Sequence, residues 1–326
     1  MNNSAKEIIE VLTKAERPII CMDSRVDFDA LCSAIIMRNF LMDICKREVR
    51  VTLDRELKDN IKKITGDYTD ISFVEENVCP TTDIDFSKYD LLIFLDSGSM
   101  EHVCKDRNTI EANIKTINID HHTGNTYFGN INYVKHYVSC TSVLFNLFEE
   151  AKIDWNKSLA SVYYLGILLD GGFFQYNTVT AYDFYVAYKL VEAGAKNFEI
   201  AWKINFNEKL NDMKLKAIVY DNLVVVGRVA YSIVTLEQLE DRGVDYENSS
   251  VPVADMIKRL EGVDFVFVIR DRGKSVFDVS FRSHEMDYDV LKIAKEFGGG
   301  GHVMAAGATI KAGSFEEVVE KIFAKL

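Results

Sequence analysis

The sequence predicts an α/β fold of two domains, with a mostly parallel sheet in the first and a smaller mixed α+β arrangement in the second. Apolar runs of strand length alternate with helix-length segments up to about residue 150, a pattern typical of parallel sheets with crossover helices. The length of 326 residues exceeds the usual size of one domain. Beyond residue 223 the pattern changes to strand-like runs separated by short helical segments.

The first domain is expected to contain four parallel strands and the helices that connect them. Each expected strand is a short apolar run, such as Leu-Leu-Ile-Phe-Leu at 91–95, and such runs are typical of strands buried on both faces. In chain order we expect strands at 18–22, 48–53, 91–95 and 116–119, and helices at 6–14, 30–44, 143–151 and 159–169.

A helical connection is expected between the two domains, because two helices at 181–193 and 207–220 follow each other without a strand. The second domain should contain strands at 224–235, 265–270 and 276–282, with helices at 253–260 and 288–297. We therefore predict a first domain at 1–190, a helical linker at 191–220 and a second domain at 221–326.

The composition limits the classes of function. The net charge is −12, from 38 basic and 50 acidic residues, which argues against a protein that grips long nucleic acid. No run approaches about 18 uncharged apolar residues, and the N-terminus has no signal-peptide pattern. The six cysteines are scattered without C-x-x-C spacing, as expected for reduced thiols. We therefore expect a cytoplasmic protein without a membrane partner.

Aspartate and histidine residues follow several of the apolar segments, at the points where these segments end. Each of them alone has a simpler explanation, such as a helix cap or a solvated loop. The set comprises Asp23, Asp27, Asp29, Asp96, Asp120, His121, His122 and Asp170. Because ligands of open α/β sheets bind at the carboxyl ends of the strands, we expect these side chains to converge.

Together these side chains predict a metal site. Several carboxylates in a partly desolvated space repel one another unless cations neutralise them. Carboxylates with an imidazole suit hard divalent ions such as Mn²⁺ or Mg²⁺. A pair of such ions can clamp a phosphoryl group and activate a bridging water, which is the chemistry of metal-dependent phosphoesterases.

Five motifs, in order along the chain, resemble those of the DHH phosphoesterase superfamily. The first four are Asp27-x-Asp29-Ala30, Asp96, Asp120-His121-His122 and Asp170-x-Gly172. The fifth is the glycine-rich run 298–302 with Ala-Ala-Gly at 305–307, after Ser-Phe-Arg-Ser at 280–283, and it resembles the DHHA1 substrate domain. The length and the single DHHA1-like segment most resemble the standalone bacterial oligoribonuclease (nanoRNase)/pAp-phosphatase group.

The resemblance implies a role for each matching residue. Two Mn²⁺ ions per chain, with Mg²⁺ or Co²⁺ as substitutes, are expected. Their ligands would be Asp23, Asp27, Asp29, Asp96, His121 and Asp170. His122 would face the scissile phosphate, and Asp120 would orient and polarise His121. The substrate would be held in the second domain by Arg282, Ser283, Gly299, Gly300, Gly301 and His302.

The chain departs from the family pattern at Asp23, because the family usually has a histidine four residues before the first motif aspartate. A carboxylate there should hold a hard divalent ion well but leave it a weaker Lewis acid. This hypothesis predicts a more alkaline optimum or an altered metal preference. The alternative outcome is loss of the first metal and a weak enzyme.

The predicted function is Mn²⁺-dependent hydrolysis of short oligoribonucleotides or of small nucleotides such as pAp and linear dinucleotides. The acidic composition favours short single-stranded RNA or a small nucleotide over long strands as the substrate. The protein partner that we consider is a second copy of the chain, in a homodimer. Two alternatives stay open, a cyclic-dinucleotide phosphodiesterase and a catalytically weak nucleotide-binding protein. An oxidoreductase with a dinucleotide fold is excluded because no G-x-G-x-x-G follows the first strand.

Overall fold

The computed structural model describes residues 2–22, 26–43, 46–47, 49–52, 56–75, 83–103, 114–206, 208–247, 249, 251–284 and 288–326, without the side chains of residues 102 and 302. The chain divides into two compact units, Met1–Phe206 and Asn207–Leu326. No helix among the described residues is both long enough and apolar enough to cross a membrane.

The first unit is built on a five-stranded parallel sheet. Its strands are β1 (Pro18–Met22), β2 (Arg50–Thr52), β3 (Leu91–Leu95), β4 (Lys115–Asp120) and β5 (Ile131–Val134), in the order β2-β1-β3-β4-β5. Met22 pairs with Leu95, and Leu95 pairs with Ile119. The carboxyl ends of β1, β3 and β4 therefore lie at the same edge of the sheet.

Nine helices of the first unit lie within the described residues, and both faces of the sheet are covered by apolar side chains. They are α1 (Ala5–Lys14), α2 (Phe28–Asp43), α3 (Asp59–Gly66), α4 (Ser72–Glu75), α5 (Met100–Val103), α6 (Cys140–Glu150), α7 (Ala160–Asp170), α8 (Ala181–Glu192) and α9 (Asn197–Asn205). Helix α2 is buried on most of its surface because it packs against both α6 and α7. This packing brings the starts of α2 and α6 and the end of α7 to the carboxyl edge of the sheet.

The second unit contains a mixed six-stranded sheet in the order β10-β11-β9-β8-β7-β6. The strands are β6 (Val224–Val226), β7 (Val229–Val234), β8 (Phe265–Asp271), β9 (Val276–Ser283), β10 (Gly300–His302) and β11 (Ala305–Lys311). Only the pairing of β7 with β8 is parallel among these described strands. The helices are α10 (Leu210–Asp221), α11 (Leu236–Arg242), α12 (Val253–Ile257), α13 (Val290–Glu296) and α14 (Phe315–Phe323).

The predicted fold class is confirmed, with a parallel sheet first, helices in the middle and a mixed sheet at the end. Strands β1 and β3 have the predicted limits, whereas the run predicted as one strand at 224–235 is a hairpin of β6 and β7. The hairpin turns at Gly227, whose φ of 60° is left-handed. Strands β5, β10 and β11 and helices α3, α4, α9, α11 and α14 were not predicted. The predicted linker at 191–220 includes α9, which belongs to the first unit, and α10, which belongs to the second.

Candidate metal centre

Two neighbouring strands deliver the central side chains of the site. Asp96 directly follows β3, and its backbone N–H donates to the carbonyl of Ile119 at 3.1 Å. Asp96 has a φ of 53°, a left-handed conformation that is unfavourable for most residues with a side chain and is common at functional sites. Asp120 is the last residue of β4 and is followed by His121 and His122. The parallel register therefore brings these four residues together.

Asp29, in the first turn of α2, is held by the start of α6. Its Oδ2 accepts a hydrogen bond from the Cys140 N–H at 2.6 Å. Its Oδ1 accepts from the N–H and the hydroxyl of Thr141 at 3.1 and 2.8 Å. Free N–H groups and the dipole at a helix N-terminus favour a negative charge, so this arrangement fixes the position of a buried carboxylate.

His121 lies between two carboxylates. Its Nε2 is 3.2 Å from Asp96 Oδ1 and 3.4 Å from Asp170 Oδ2, at the end of α7. On the other side of the ring, Nδ1 is 3.3 Å from the carbonyl oxygen of Tyr137. A proton on Nδ1, donated to that carbonyl, would leave the Nε2 lone pair directed toward the carboxylates, which is the usual arrangement of a metal-binding histidine.

Asp120 forms its hydrogen bonds with His122 and Asn125. Its Oδ1 is 2.7 Å from His122 Nδ1, and its Oδ2 accepts from Asn125 Nδ2 at 2.5 Å. The resemblance predicted that Asp120 would orient His121, and this expectation is corrected by the observed partner. The physical reason is that both nitrogens of His121 already face other groups, the Tyr137 carbonyl and the Asp96 and Asp170 carboxylates.

The carboxylates in this cluster resist ionisation. Burial raises the pKa of Asp29, and burial together with the charge of Asp29 raises the pKa of Asp96 well above its usual range. Burial and Asp29 raise the pKa of Asp170 to about 7. Burial opposes a charge on His121, but the adjacent Asp96 carboxylate, with those of Asp29 and Asp170, outweighs it and raises the pKa of His121 to about 10. The raised pKa values mean that the metal-free cluster holds protons in place of a bound cation.

The pKa shifts of Asp120 and His122, in contrast, favour the charged form of each group. Burial alone would raise the pKa of Asp120, but its hydrogen bonds with His122 and Asn125 lower it. The hydrogen bond to Asp120 raises the pKa of His122 against the effect of burial. The His122 side chain is 49% exposed, so a ring with one nitrogen fixed by Asp120 and a raised pKa faces open space. This pair can present a proton or positive charge to an anionic substrate.

The side chains present fit a divalent metal ion. Two groups of residues offer ligand atoms that all lie within 4.8 Å of one another, Asp96 with Asp120, His121 and His122, and Asp29 with His121 and Asp170. Asp96 Oδ1 is buried and, among the described residues, has no hydrogen-bond partner, although His121 Nε2 is 3.2 Å away. A buried carboxylate oxygen without a donor, beside a histidine and a second carboxylate, has the chemistry of a metal ligand.

Asp27 stands at the border of this cluster. It is exposed, and its Oδ1 accepts a hydrogen bond from the Ala30 N–H at 3.0 Å, at the start of α2. Its charge contributes to raising the pKa values of Asp29, Asp96 and Asp170, so it lies close to them. Asp23, the residue that replaces the usual histidine, lies outside the described residues, and its role stays a prediction.

The six predicted substrate-binding residues are in the second unit. Arg282 Nε donates to Asp255 Oδ1 at 2.9 Å, and the buried Ser283 hydroxyl has no hydrogen-bond partner among the described residues. The glycine-rich segment forms β10, in which Gly301 pairs with Ala306 of β11 and has a φ of 141°. A Cβ on Gly301 would be 2.5 Å from the Ala305 carbonyl oxygen, so this close strand pairing requires glycine. The substrate role of this segment stays a prediction.

Several residues that shape the site were not predicted from the sequence. They are Asn125, the carbonyl of Tyr137, the start of α6 at Cys140 and Thr141, and Gly166 on α7. A Cβ on Gly166 would be 2.6 Å from Thr141 Oγ1 and 2.8 Å from Asp29 Oδ1. No local sequence pattern indicates these contacts, because each depends on packing between segments far apart in the chain.

Comparison with known families agrees with this geometry. The DHH family, N-terminal domain, matches residues 17–167, and the DHHA1 domain matches residues 227–326. The chain therefore belongs to the DHH/DHHA1 phosphoesterase family, whose members are metal-dependent hydrolases.

The curated relatives are distant. A bifunctional oligoribonuclease and PAP phosphatase NrnA of Thermus thermophilus is 30% identical over 213 residues, which are 63% of this chain and 62% of that protein, less than two thirds of its length. The protein of the same name from Mycoplasma pneumoniae is 27% identical over 229 residues, 68% of each chain. An exopolyphosphatase-related protein from Bacteroides fragilis has a similar solved structure, with a TM-score of 0.78 over 98% of this chain and 94% of that one. At 21% identity, this likeness concerns the fold alone.

Proposed function

We propose that this protein is a Mn²⁺-dependent phosphoesterase that hydrolyses short oligoribonucleotides or small nucleotides such as pAp and linear dinucleotides. The observation that carries the proposal is the buried, unpartnered Oδ1 of Asp96 beside His121, in a cluster of carboxylates whose pKa values are raised by burial and by one another. Such a cluster is stable in its charged form only when cations are bound.

The substrate class is supported by relatives and by charge. The curated relatives from Thermus thermophilus and Mycoplasma pneumoniae are named as oligoribonucleases and PAP phosphatases. A net charge of −12 disfavours long nucleic acid, whose binding depends on many basic contacts. Because the match spans only part of the Thermus thermophilus protein, its activity is carried over here as a proposal. We also propose a cytoplasmic location, in keeping with a nucleotide substrate.

The metal ligands would come from the edge of the parallel sheet. The proposed set is Asp23, Asp27, Asp29, Asp96, His121 and Asp170, as predicted from the sequence. When bound, divalent ions would polarise the phosphoryl group and lower the pKa of a coordinated water. Mn²⁺ is proposed because oxygen ligands with one imidazole suit it, whereas a site made only of oxygen ligands would favour Mg²⁺.

Other residues of the site orient the proposed metal ligands or contact the substrate. The start of α6 holds the Asp29 carboxylate, and the Tyr137 carbonyl fixes the ring of His121. Asp120 holds Nδ1 of His122, which leaves Nε2 to donate a hydrogen bond to a phosphoryl oxygen. The proposed reaction forms a bond between the water oxygen and phosphorus and breaks the bond between phosphorus and the leaving oxygen.

The second unit is proposed to hold the rest of the substrate. Arg282, Ser283 and the glycine segment would contribute through a guanidinium, a hydroxyl and backbone N–H groups, which are common ligands of phosphates and bases. Arg282 is oriented by Asp255, so its position is fixed before substrate binds.

The test is an assay of metal-free protein with and without added Mn²⁺, Mg²⁺ or Co²⁺. The substrates are pAp, fluorescently labelled RNAs of two to five nucleotides, and cyclic di-AMP. We expect Mn²⁺-dependent hydrolysis of pAp or short RNA and loss of activity in Asp170→Asn. The matched control is Asp241→Asn, an exposed aspartate of α11. Turnover of cyclic di-AMP in preference to the linear substrates would favour a cyclic-dinucleotide phosphodiesterase instead.

A second candidate, a nucleotide-binding protein with weak catalysis, is favoured by Asp23 at the position of the usual histidine ligand. Counting the bound ions separates the two candidates. Two Mn²⁺ ions per chain would support the enzyme. Nucleotide binding without turnover in all three metals, with one ion or none per chain, would support the weak binder.

A further inference from the structure

A cavity at the amino edge of the parallel sheet has a predominantly basic lining. The cavity belongs to the first unit, has a volume of about 610 Å³ and lies at the edge of the sheet opposite the candidate metal centre. Its described lining residues include one carboxylate, Glu16, and four cations, Arg17, Arg38, Arg50 and Lys88. The whole chain has a net charge of −12, so this local excess of positive charge runs against the composition.

The sheet places three of these cations in a row. Arg17 directly precedes β1, Arg50 is the first residue of β2, and Lys88 lies three residues before the start of β3. These strands are neighbours in the order β2-β1-β3, and Ile19 of β1 pairs with Arg50. Neighbouring strands lie about 4.8 Å apart, so the row spans roughly 10 Å at the backbone. A ligand at this edge would therefore meet three cations at once.

Two of the arginines lack an anionic partner among the described residues. The Nε of Arg50 is buried and has no hydrogen-bond partner there. The carboxylate of Asp90, beside Arg17, accepts instead from the backbone N–H groups of Glu16 and Arg17 at 2.8 and 2.9 Å. A buried guanidinium N–H without an acceptor is costly, and a bound anion would remove that cost.

The other two cations add charge to the same cavity. The guanidinium carbon of Arg38 lies 4.1 Å from the centroid of the Phe73 ring, which holds the plane of the guanidinium. Lys88 is 3.4 Å from Asp85, but both side chains are more than half exposed. Such a surface pair contributes little energy, so Lys88 can turn toward a ligand.

The size and the lining of the cavity indicate the class of ligand. Guanidinium groups bind phosphates through paired N–H···O bonds. A row of cations roughly 10 Å long exceeds the size of one phosphate group and suits two or more linked phosphates. Tyr89, Met42 and Val49 also line the cavity and offer apolar contact. The volume lies within the range of small-molecule sites.

We propose that this cavity is a binding site, separate from the metal centre, for a small anion that carries two or more linked phosphate groups. Arg17 and Arg50 bind the phosphate oxygens, and Lys88 and Arg38 strengthen the attraction. If the anion is a nucleotide, the ring of Tyr89 packs against its nucleoside. The proposal depends neither on the metal nor on the substrate of the proposed reaction.

The test is calorimetric titration of the full chain with ADP and, separately, with pyrophosphate. EDTA is present throughout, so that no metal ion can hold a phosphate at the metal centre. We expect a dissociation constant of about 100 µM or lower at about 50 mM salt, with weaker binding at higher salt. Arg17→Gln and Arg50→Met should each weaken binding about tenfold or more. Tighter binding of ADP than of pyrophosphate would identify a nucleotide, and equal binding an inorganic anion.

Glu16→Gln gives a result that a folding defect cannot imitate. It removes the carboxylate from the described lining of the cavity, so binding should become about threefold tighter. Arg259→Gln, at an exposed arginine of the second unit, is the matched control and should bind like the parent. Without ligand, Arg50→Met should be at least as stable as the parent, because it removes a buried donor that lacks an acceptor.

Absence of binding of both anions by the parent protein would overturn the proposal. So would binding that Arg17→Gln and Arg50→Met leave unchanged. Binding that is lost in Arg282→Gln but retained in Arg17→Gln would place the anion in the second unit and would also overturn it.

Discussion

Asp29 Oδ1 accepts two hydrogen bonds from Thr141, one from the N–H at 3.1 Å and one from the hydroxyl at 2.8 Å. With the bond from Cys140, three donors at the start of α6 hold this carboxylate. Asp29 is also grouped with His121 and Asp170 as an atom set that could hold a metal ion. The position of α6 therefore controls the geometry of the candidate metal centre.

Gly166→Ala should damage the centre although the residue is not a ligand. A Cβ at this position of α7 would be 2.6 Å from Thr141 Oγ1 and 2.8 Å from Asp29 Oδ1. An alanine inside a helix is normally favourable, but the overlap here should cost about 1–3 kcal/mol of unfolding free energy. We expect weaker Mn²⁺ binding and lower stability, measured by metal titration and urea unfolding.

Gly66→Ala is the matched control for that variant. Gly66 ends α3, and a Cβ there would be 3.7 Å from the nearest atom, Ile71 Cδ1, which is ordinary contact. This variant should keep its affinity for Mn²⁺. Equal affinity for Mn²⁺ in both variants would show that the space beside Asp29 does not control the site.

Asn125→Ala should lower the turnover rate more than it lowers metal affinity. Asn125 donates to Asp120 Oδ2 at 2.5 Å and to Asn118 Oδ1 at 2.8 Å, and Asp120 in turn holds His122. Loss of a residue that orients a catalytic group typically lowers activity about 10–100-fold. The measurement is kcat and KM with saturating Mn²⁺, together with urea unfolding.

The control for this prediction is Asn130→Ala. Asn130 accepts hydrogen bonds from the N–H and hydroxyl of Thr116 at 2.8 and 2.9 Å, at the opposite end of β4. It should lower stability by about 1–3 kcal/mol, like the Asn125 variant, but leave kcat unchanged. A similar loss of kcat in both variants would reduce Asn125 to a purely structural role.

The sequence predicted those features that depend on local pattern. The apolar runs of β1 and β3 are buried on both faces, so their limits and the positions of Asp96 and Asp120 could be read directly. Strand β5 was missed because its four residues include Asn132, which interrupts the apolar run. The prediction that Asp120 orients His121 was wrong because the partners of Asp120 depend on the loop that brings Asn125 and His122 together. The contact between Asp29 and Cys140 joins residues 111 positions apart, and no local pattern predicts it.

The stabilisation of the fold by Mn²⁺ should increase with pH. The pKa of Asp170 is raised to about 7 and that of His121 to about 10. In the metal-free protein the stability contributed by Asp170 is full below its unfolded pKa near 3.8 and is lost as the pH rises through about 7. The contribution of His121 is full below 6.5 and is lost as the pH rises toward about 10. A metal ion displaces these protons, so it binds more tightly as the pH rises.

This dependence can be measured by thermal unfolding with and without Mn²⁺ at several pH values between about 6 and about 8. The metal affinity should rise up to about tenfold per pH unit for each proton released. The metal-free protein should become less stable over the same range. An increment from Mn²⁺ that does not change with pH would mean that neither Asp170 nor His121 loses a proton when the metal binds.

Asp96→Asn should remove the energetic cost of a buried carboxylate in the metal-free protein and at the same time reduce the stabilisation by Mn²⁺. Asparagine tolerates the left-handed backbone of Asp96 and has the same shape, so the fold should be retained. Because burial and the charge of Asp29 raise the pKa of Asp96 well above its usual range, the charged form of this group is costly in the metal-free protein, and asparagine removes that cost. The metal-free variant should therefore be at least as stable as the parent. The parent should gain about 2.7 kcal/mol from Mn²⁺ at a hundred times its Kd, and the variant should gain much less. Thermal unfolding of both proteins with EDTA and with Mn²⁺ makes the comparison, and an equal gain in both would place the metal away from the unpartnered Oδ1 of Asp96.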